Sequence, residues 1–194
     1  KFWTTIFIIV ILEMIHIVGL YIYNSSGTNI VKGNYIAVNP NVTAGSSIGL
    51  YNLSCQDGLH IDSNIIKNYK TGVLSNSYMG DRLIFNRNTL DDIISTGIYI
   101  KGDSGVYTDN IINSIVGGNG VLIDGSGGAN VSRNKILGVT AGSGIVVDAP
   151  NSLVANNYVQ SEGVGLAKGI SLEANGSGSD IVFNSVNVTG TDVV

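Results

Sequence analysis

One unit recurs down this chain and leaves few folds open to it. The fullest copy runs from Gly120 to Ile136, GVLIDGSGGANVSRNKI. It reads Gly-φ-x-φ-x, a Gly/Ser turn, then φ-x-x-Asn-x-φ, where φ is apolar. The opening glycine returns at Gly19, Gly49, Gly72, Gly97, Gly120, Gly144 and Gly169, with gaps of 30, 23, 25, 23, 24 and 25 residues. The asparagine returns as Asn34, Asn64, Asn88, Asn110, Asn134, Asn157 and Asn184. Three residues before each stands Val31, Ile61, Phe85, Tyr107, Val131, Val154 or Ile181. Two after each stands Ile36, Ile66, Leu90, Ile112, Ile136, Val159 or Val186. A fixed period in this range marks a solenoid.

The alternation after each glycine has period two, which is the pattern of a short half-buried strand. No copy has room for a helix of ordinary length. A chain that returns to its starting place through strands alone is a coil of parallel strands. Such a coil cannot bury its apolar face by itself and must stack on the next, about 4.8 Å away. Seven copies predict a rod roughly 30 to 35 Å long. An asparagine at one fixed place has a physical reason. Its amide tolerates a left-handed turn. Stacked at the rung spacing, it can bond the next amide in a ladder.

The copies resemble the right-handed parallel β-helix repeats of carbohydrate-binding proteins and sugar hydrolases, and those of NosD-like periplasmic proteins. The stretch Gly19–Ile36, GLYIYNSSGTNIVKGNYI, is especially similar to the NosD-type repeat. The resemblance extends from Gly19 to about Asn187. It implies an all-β, right-handed parallel β-helix of about seven to eight coils. It implies much less about activity, because such repeats occur in lyases, hydrolases, epimerases, adhesins, phage spikes and surface proteins alike.

Residues 1–18, KFWTTIFIIVILEMIHIV, depart from the rest, and the sequence divides there from a β-helix domain over 19–194. Three readings stay open for this hydrophobic segment. It could be a signal or membrane anchor, short for a spanning helix of about 20 residues. It could be a helix buried in an assembly. It could be a degenerate first rung, since Ile6-x-x-Ile9-x-Ile11 fits the asparagine template with Ile9 at the ladder position. On a helix, Glu13 and His16 would share a face and pair with each other or with a neighbouring subunit. At the other end the repeat stops at NVTGTDVV without an amphipathic cap, so either the natural chain continues or the open strand edge, a template for association, stacks on another subunit.

Candidate sites follow from the positions that point outward. The first x after each glycine is Tyr21, Tyr51, Leu74, Tyr99, Leu122, Val146 and Ser171 in turn. That predicts an aromatic and aliphatic stripe along one sheet, for binding or lateral packing. The second x is Tyr23, Leu53, Asn76, Lys101, Asp124, Asp148 and Glu173. The last three would stack as an acidic row, of the kind that takes Ca2+ or does glycosidic acid–base work. No other cofactor is indicated. Asp91-Asp92 resembles the double aspartate of polygalacturonases, but the Gly-His-Gly and Arg-Ile-Lys motifs of that family are missing, since no histidine follows His60. Cys55 is the only cysteine, so it forms no internal disulfide, and a packing role is expected of it. No complete catalytic set is present, and no catalytic residue is assigned.

Only 12% of the chain is charged and the net charge is −4. Globular domains average about a quarter charged. The balance suits an extracellular or crowded setting, and without a basic patch it argues against nucleic acid. The sequence therefore predicts a secreted or cell-surface structural or adhesive module that forms a homo-oligomer or surface assembly. A carbohydrate-active protein binding or cleaving polysaccharide is the second reading, and a NosD-like periplasmic accessory protein the third. Membrane contact would come through residues 1–18.

Overall fold

The computed structural model describes residues 16–25, 27–40, 46–55, 58–76, 83–102, 104–125, 127–163 and 167–190. They form three seven-stranded sheets wrapped around one core. The first sheet holds His16–Tyr23, Ser46–Leu53, Thr71–Asn76, Thr96–Ile100, Val121–Asp124, Ser143–Asp148 and Lys168–Leu172. The second holds Asn29–Lys32, Leu59–Asp62, Ile84–Asn86, Val106–Thr108, Asn130–Ser132, Leu153–Ala155 and Asp180–Val182. The third holds Tyr35–Ala37, Ile65–Lys67, Thr89–Asp91, Ile111–Ile115, Lys135–Val139, Tyr158–Gly163 and Ser185–Gly190. Each coil gives one strand to each sheet, and every pairing is with the same strand one coil away, in parallel. The chain is thus an all-β parallel solenoid with seven described coils, numbered here by their opening glycines.

Period-two alternation puts one apolar column from each sheet into the core. Leu50, Val73, Ile98, Val121 and Ile145 come from the first sheet, Ile61, Phe85, Tyr107, Val131 and Val154 from the second, and Ile66, Leu90, Ile112, Ile136 and Val159 from the third. All are at most 1% exposed. Full burial of one such side chain contributes about 1.5–3 kcal/mol, so the stacked columns supply the main stabilising term. One buried patch is polar. Asn52 is 0% exposed, and its amide reaches the Ser75 hydroxyl at 3.5 Å.

Asparagines 34 to 184 form the expected ladder. From Asn64 to Asn184, each side-chain oxygen accepts both the backbone N–H and the side-chain N–H of the asparagine one coil before it. The backbone bonds measure 2.9–3.0 Å. The amide bonds measure 2.9–3.2 Å. The conformational reason expected for asparagine is corrected, however. The left-handed residue is the one immediately before it: Gly33, Ser63, Arg87, Asp109, Arg133, Asn156 and Phe183, with φ between 55° and 68°. That residue turns the chain from the second sheet into the third and leaves the asparagine free to point inward. Asparagine occupies its place for its hydrogen bonds, because in Asn64, Asn88, Asn110, Asn134 and Asn157 both ends of the amide are used in a buried site.

His16 opens a strand and pairs with Ser46, so the solenoid begins before Gly19. A helical pairing of His16 with Glu13 is therefore replaced by strand register at His16, and Glu13 lies outside the described residues. The Ile6–Ile11 rung also lies outside them, as do residues 1–15 of the 1–18 segment on which the anchor readings rest. Among the described residues no helix is long and apolar enough to cross a membrane.

Candidate functional surfaces

The predicted first-sheet stripe is in register. Tyr21 pairs with Tyr51, Tyr51 with Leu74, Leu74 with Tyr99, Tyr99 with Leu122, Leu122 with Val146 and Val146 with Ser171. Its apolar members are half-buried along the column, while Ser171 is buried. Aromatic contact concentrates at one end. The Tyr21 and Tyr23 rings stack at 6.0 Å and 12°, and Tyr51 tilts against Tyr21 at 5.3 Å and 46°. Tyr23 remains 62% exposed. Farther along, the Tyr99 hydroxyl donates to Asp124 Oδ2 at 2.7 Å. Burial, then this bond to a carboxylate, pushes the Tyr99 phenol up to about 12.

Two members of the acidic row are in register, with Glu173 just past the end of its strand, and the three do not work together. Asp124 pairs with Asp148 across neighbouring strands. Asp124 takes the Tyr99 proton donor, Asp148 Oδ1 caps the Asn175 N–H at 3.1 Å, and Glu173 accepts from Ser171 beside Lys168 at 3.7 Å. Each carboxylate is turned to its own local partner. Among the described residues no group of three or more His, Cys, Asp or Glu is placed to hold a metal ion. Asp91 and Asp92 serve a different purpose from the paired acids of a hydrolase. Both grip Lys67 one coil away, at 2.8 and 2.9 Å, and hold its ammonium well above the usual lysine range. Cys55 is buried in the core cluster, 3% exposed, as expected for packing.

Two surface features escaped the repeat analysis. The first is a charged ridge on the corner between the second and third sheets. Lys32 and Arg87 flank Asp62 at 3.2 and 2.8 Å, and the Arg87–Asp62 contact is bidentate. Arg133 grips Asp109 in the same bidentate way at 2.8 Å. Read along the rod, the signs alternate over the first five coils: Lys32, Asp62, Arg87, Asp109, Arg133. The second feature is the outward column of the third sheet, Tyr35, Ile65, Thr89, Ile111, Lys135, Tyr158 and Ser185, also in register. Tyr35 is 68% exposed, Ile65 43%, Ile111 41% and Tyr158 40%, so this face shows more bare apolar surface than the first-sheet stripe. Both features were legible in principle: Arg87, Asp109 and Arg133 immediately precede their ladder asparagines, Lys32 and Asp62 stand two residues before theirs, and the third-sheet column immediately follows.

The ridge gives the protein a defined acid response. The Arg87 guanidinium, assisted by Ser63 and Lys32, holds Asp62 down to about 2. A depressed carboxylate adds stability above its unfolded value of about 4, and that contribution is lost as pH falls through about 2. Arg87→Ala is expected to move the Asp62 titration upward toward the ordinary carboxylate range. The acid-unfolding midpoint should rise with it. Carboxyl-carbon NMR titration of Asp62 in the two proteins reads the shift; an unmoved Asp62 would refute the assignment.

A family model described as a right-handed beta helix region matches residues 75–192, more than half of the 194-residue chain. No curated protein and no solved structure matches it.

Proposed function

Because the chain belongs to the right-handed β-helix family, a fold that hosts many unrelated activities, we propose its role from its surfaces: a secreted or cell-surface structural or adhesive module that self-associates into a filament or surface assembly. The observation that carries this reading is the in-register column Tyr21, Tyr51, Leu74, Tyr99, Leu122 and Val146 on the first sheet. An unbroken apolar row along a rod is a surface for a partner. The carboxylates best placed for chemistry are each engaged with separate neighbours, which favours contact over catalysis.

The test is sedimentation velocity over a concentration series, with electron micrographs of the same samples. The wild-type protein is expected to form larger species as concentration rises. Tyr51→Lys or Tyr99→Lys should weaken that association at least tenfold while leaving the far-UV spectrum intact. A wild-type protein that stays monomeric at every concentration would sink the reading.

The stacked Tyr21, Tyr23 and Tyr51 rings favour a second reading, polysaccharide binding. Exposed tyrosine faces pack on sugar rings, and Tyr23 presents the most open one. Under that reading the protein is a dispersed monomer whose melting temperature rises with oligosaccharide, and Tyr23→Ala removes the rise.

A further inference from the structure

The third-sheet face carries an outward column with a charged border on either side. The apolar column Tyr35, Ile65, Ile111 and Tyr158 runs between two charged borders. On one side is the ridge of Asp62, Arg87, Asp109 and Arg133, and on the other is the Lys67–Asp91–Asp92 cluster. An apolar centre with a polar rim is the anatomy of a protein interface. The ridge decides the occupant. A row of charges that alternates in sign at every coil is complementary to its own reverse copy.

We propose that two copies pair antiparallel through the third sheet, about a two-fold axis lying in the interface, across the rods, between the third and fourth coils. This rests on the self-association reading above and adds a second contact surface to its first-sheet column. With the axis there, the third coil of one rod faces the fourth of the other, the second faces the fifth, and the first faces the sixth. Arg87 then meets the other copy's Asp109, twice by symmetry, and Asp62 meets the other copy's Arg133. In the apolar column Tyr35 meets Tyr158, and Ile65 meets the aliphatic stem of Lys135. A shift by one coil would set like charges together along the ridge, so the charges fix the register. The parallel arrangement would bring the ridge against the Lys67 border instead. An isologous contact of this kind closes as a dimer and does not propagate. The face spans six coils, about 25 Å, on strands as short as three residues. That is below the ~800 Å² per partner of a standard interface, which places the dimer among weak, transient contacts.

The test is a charge exchange, read by sedimentation equilibrium up to several hundred micromolar protein. Asp109→Arg alone sets arginine against Arg87 of its mate, and Arg87→Asp alone sets aspartate against Asp109. Each should weaken dimerisation at least tenfold. An equimolar mixture of the two restores both contacts and should dimerise near the wild-type level. Both substitutions are compatible with the left-handed corner, since arginine and aspartate already occupy that position in neighbouring coils. Tyr158→Glu, which leaves the ridge intact, should weaken the dimer by a similar factor and serves if either ridge variant fails to fold. A wild-type protein that is monomeric throughout overturns this pairing together with the self-association reading. A wild-type oligomer that is insensitive to Asp109→Arg, Arg87→Asp and Tyr158→Glu but broken by Tyr51→Lys overturns this pairing alone. Failure of the mixture to dimerise when both single variants are folded monomers also overturns it.

Discussion

Asn110→Ala is expected to destabilise the fold by about 3–4 kcal/mol, a large share of the ~5–15 kcal/mol that holds a domain together. Asn110 is 1% exposed. Its side-chain oxygen accepts the Asn88 backbone N–H at 2.9 Å and the Asn88 amide at 3.2 Å. Its own amide donates to Phe85 O at 3.1 Å and to Asn134 Oδ1 at 2.9 Å. Alanine removes all four bonds: the buried Asn88 backbone N–H loses its acceptor, and the Asn88 amide is left with Ile61 O and Asn86 O alone. Unmade bonds of this kind cost more than made ones contribute.

Asn110→Asp sharpens the argument. The carboxylate can still accept from Asn88, but its second oxygen faces the acceptors Phe85 O and Asn134 Oδ1. The protonated acid satisfies one of them and the ionised acid neither. Its folded pKa is therefore raised above the unfolded value of about 4. A raised carboxyl contributes most below its unfolded pKa and loses that contribution as pH rises through the folded pKa. The variant should be markedly more stable at pH 4 than at pH 7.5. Urea melts at the two pH values, with wild type beside them, measure the difference. A pH-independent loss would mean that the ladder is not the source.

The ladder and the coil count were legible from spacing, because Gly-φ-x-φ-x and φ-x-x-Asn-x-φ each encode an alternation that only strands satisfy. What the spacing hid was the division of labour around each asparagine. The corner conformation falls on the preceding residue, which reads Gly33, Ser63, Arg87, Asp109, Arg133, Asn156 and Phe183. Only arginine recurs among them, at two of the seven positions, so no motif announces it. The position is open to solvent, and side chains as different as Arg133 and Phe183 are accommodated there at the modest strain of a single left-handed residue. The same freedom let the ridge charges accumulate unseen. Lys67 with Asp91-Asp92 was hidden for a different reason: its partners are adjacent only across coils, 24 residues apart. The acidic row shows the converse. Register put Asp124 beside Asp148 as the repeat implies, but only the side-chain rotamers reveal that each carboxylate turns to a different donor.

The opening glycines make the second large prediction. Gly120→Ala is expected to cost about 3 kcal/mol or more, and Gly120→Val to prevent folding at 37 °C. Gly120 is not in the left-handed region, so conformational freedom does not explain it. A Cβ there would lie 2.5 Å from Ile136 Cγ2 and 2.6 Å from the Gly144 carbonyl oxygen. Glycine lets the first sheet close on the third-sheet column Ile36, Ile66, Leu90, Ile112, Ile136, Val159 and Val186, which is why both recur together. The side chain could yield, but the carbonyl belongs to the next rung and is fixed by the parallel ladder. Ile136→Ala should therefore fail to rescue Gly120→Ala. Gly33→Ala is the informative control. Gly33 has φ of 68° but nothing within 4 Å of its missing Cβ, and six other coils carry a side chain at that corner. Its cost should stay near 1 kcal/mol, the ordinary penalty of alanine in a left-handed turn. Thermal melts of the two alanine variants decide the matter. A larger loss at Gly33 than at Gly120 would mean that turn conformation, and not the close approach of the two sheets, is what the repeating glycine protects.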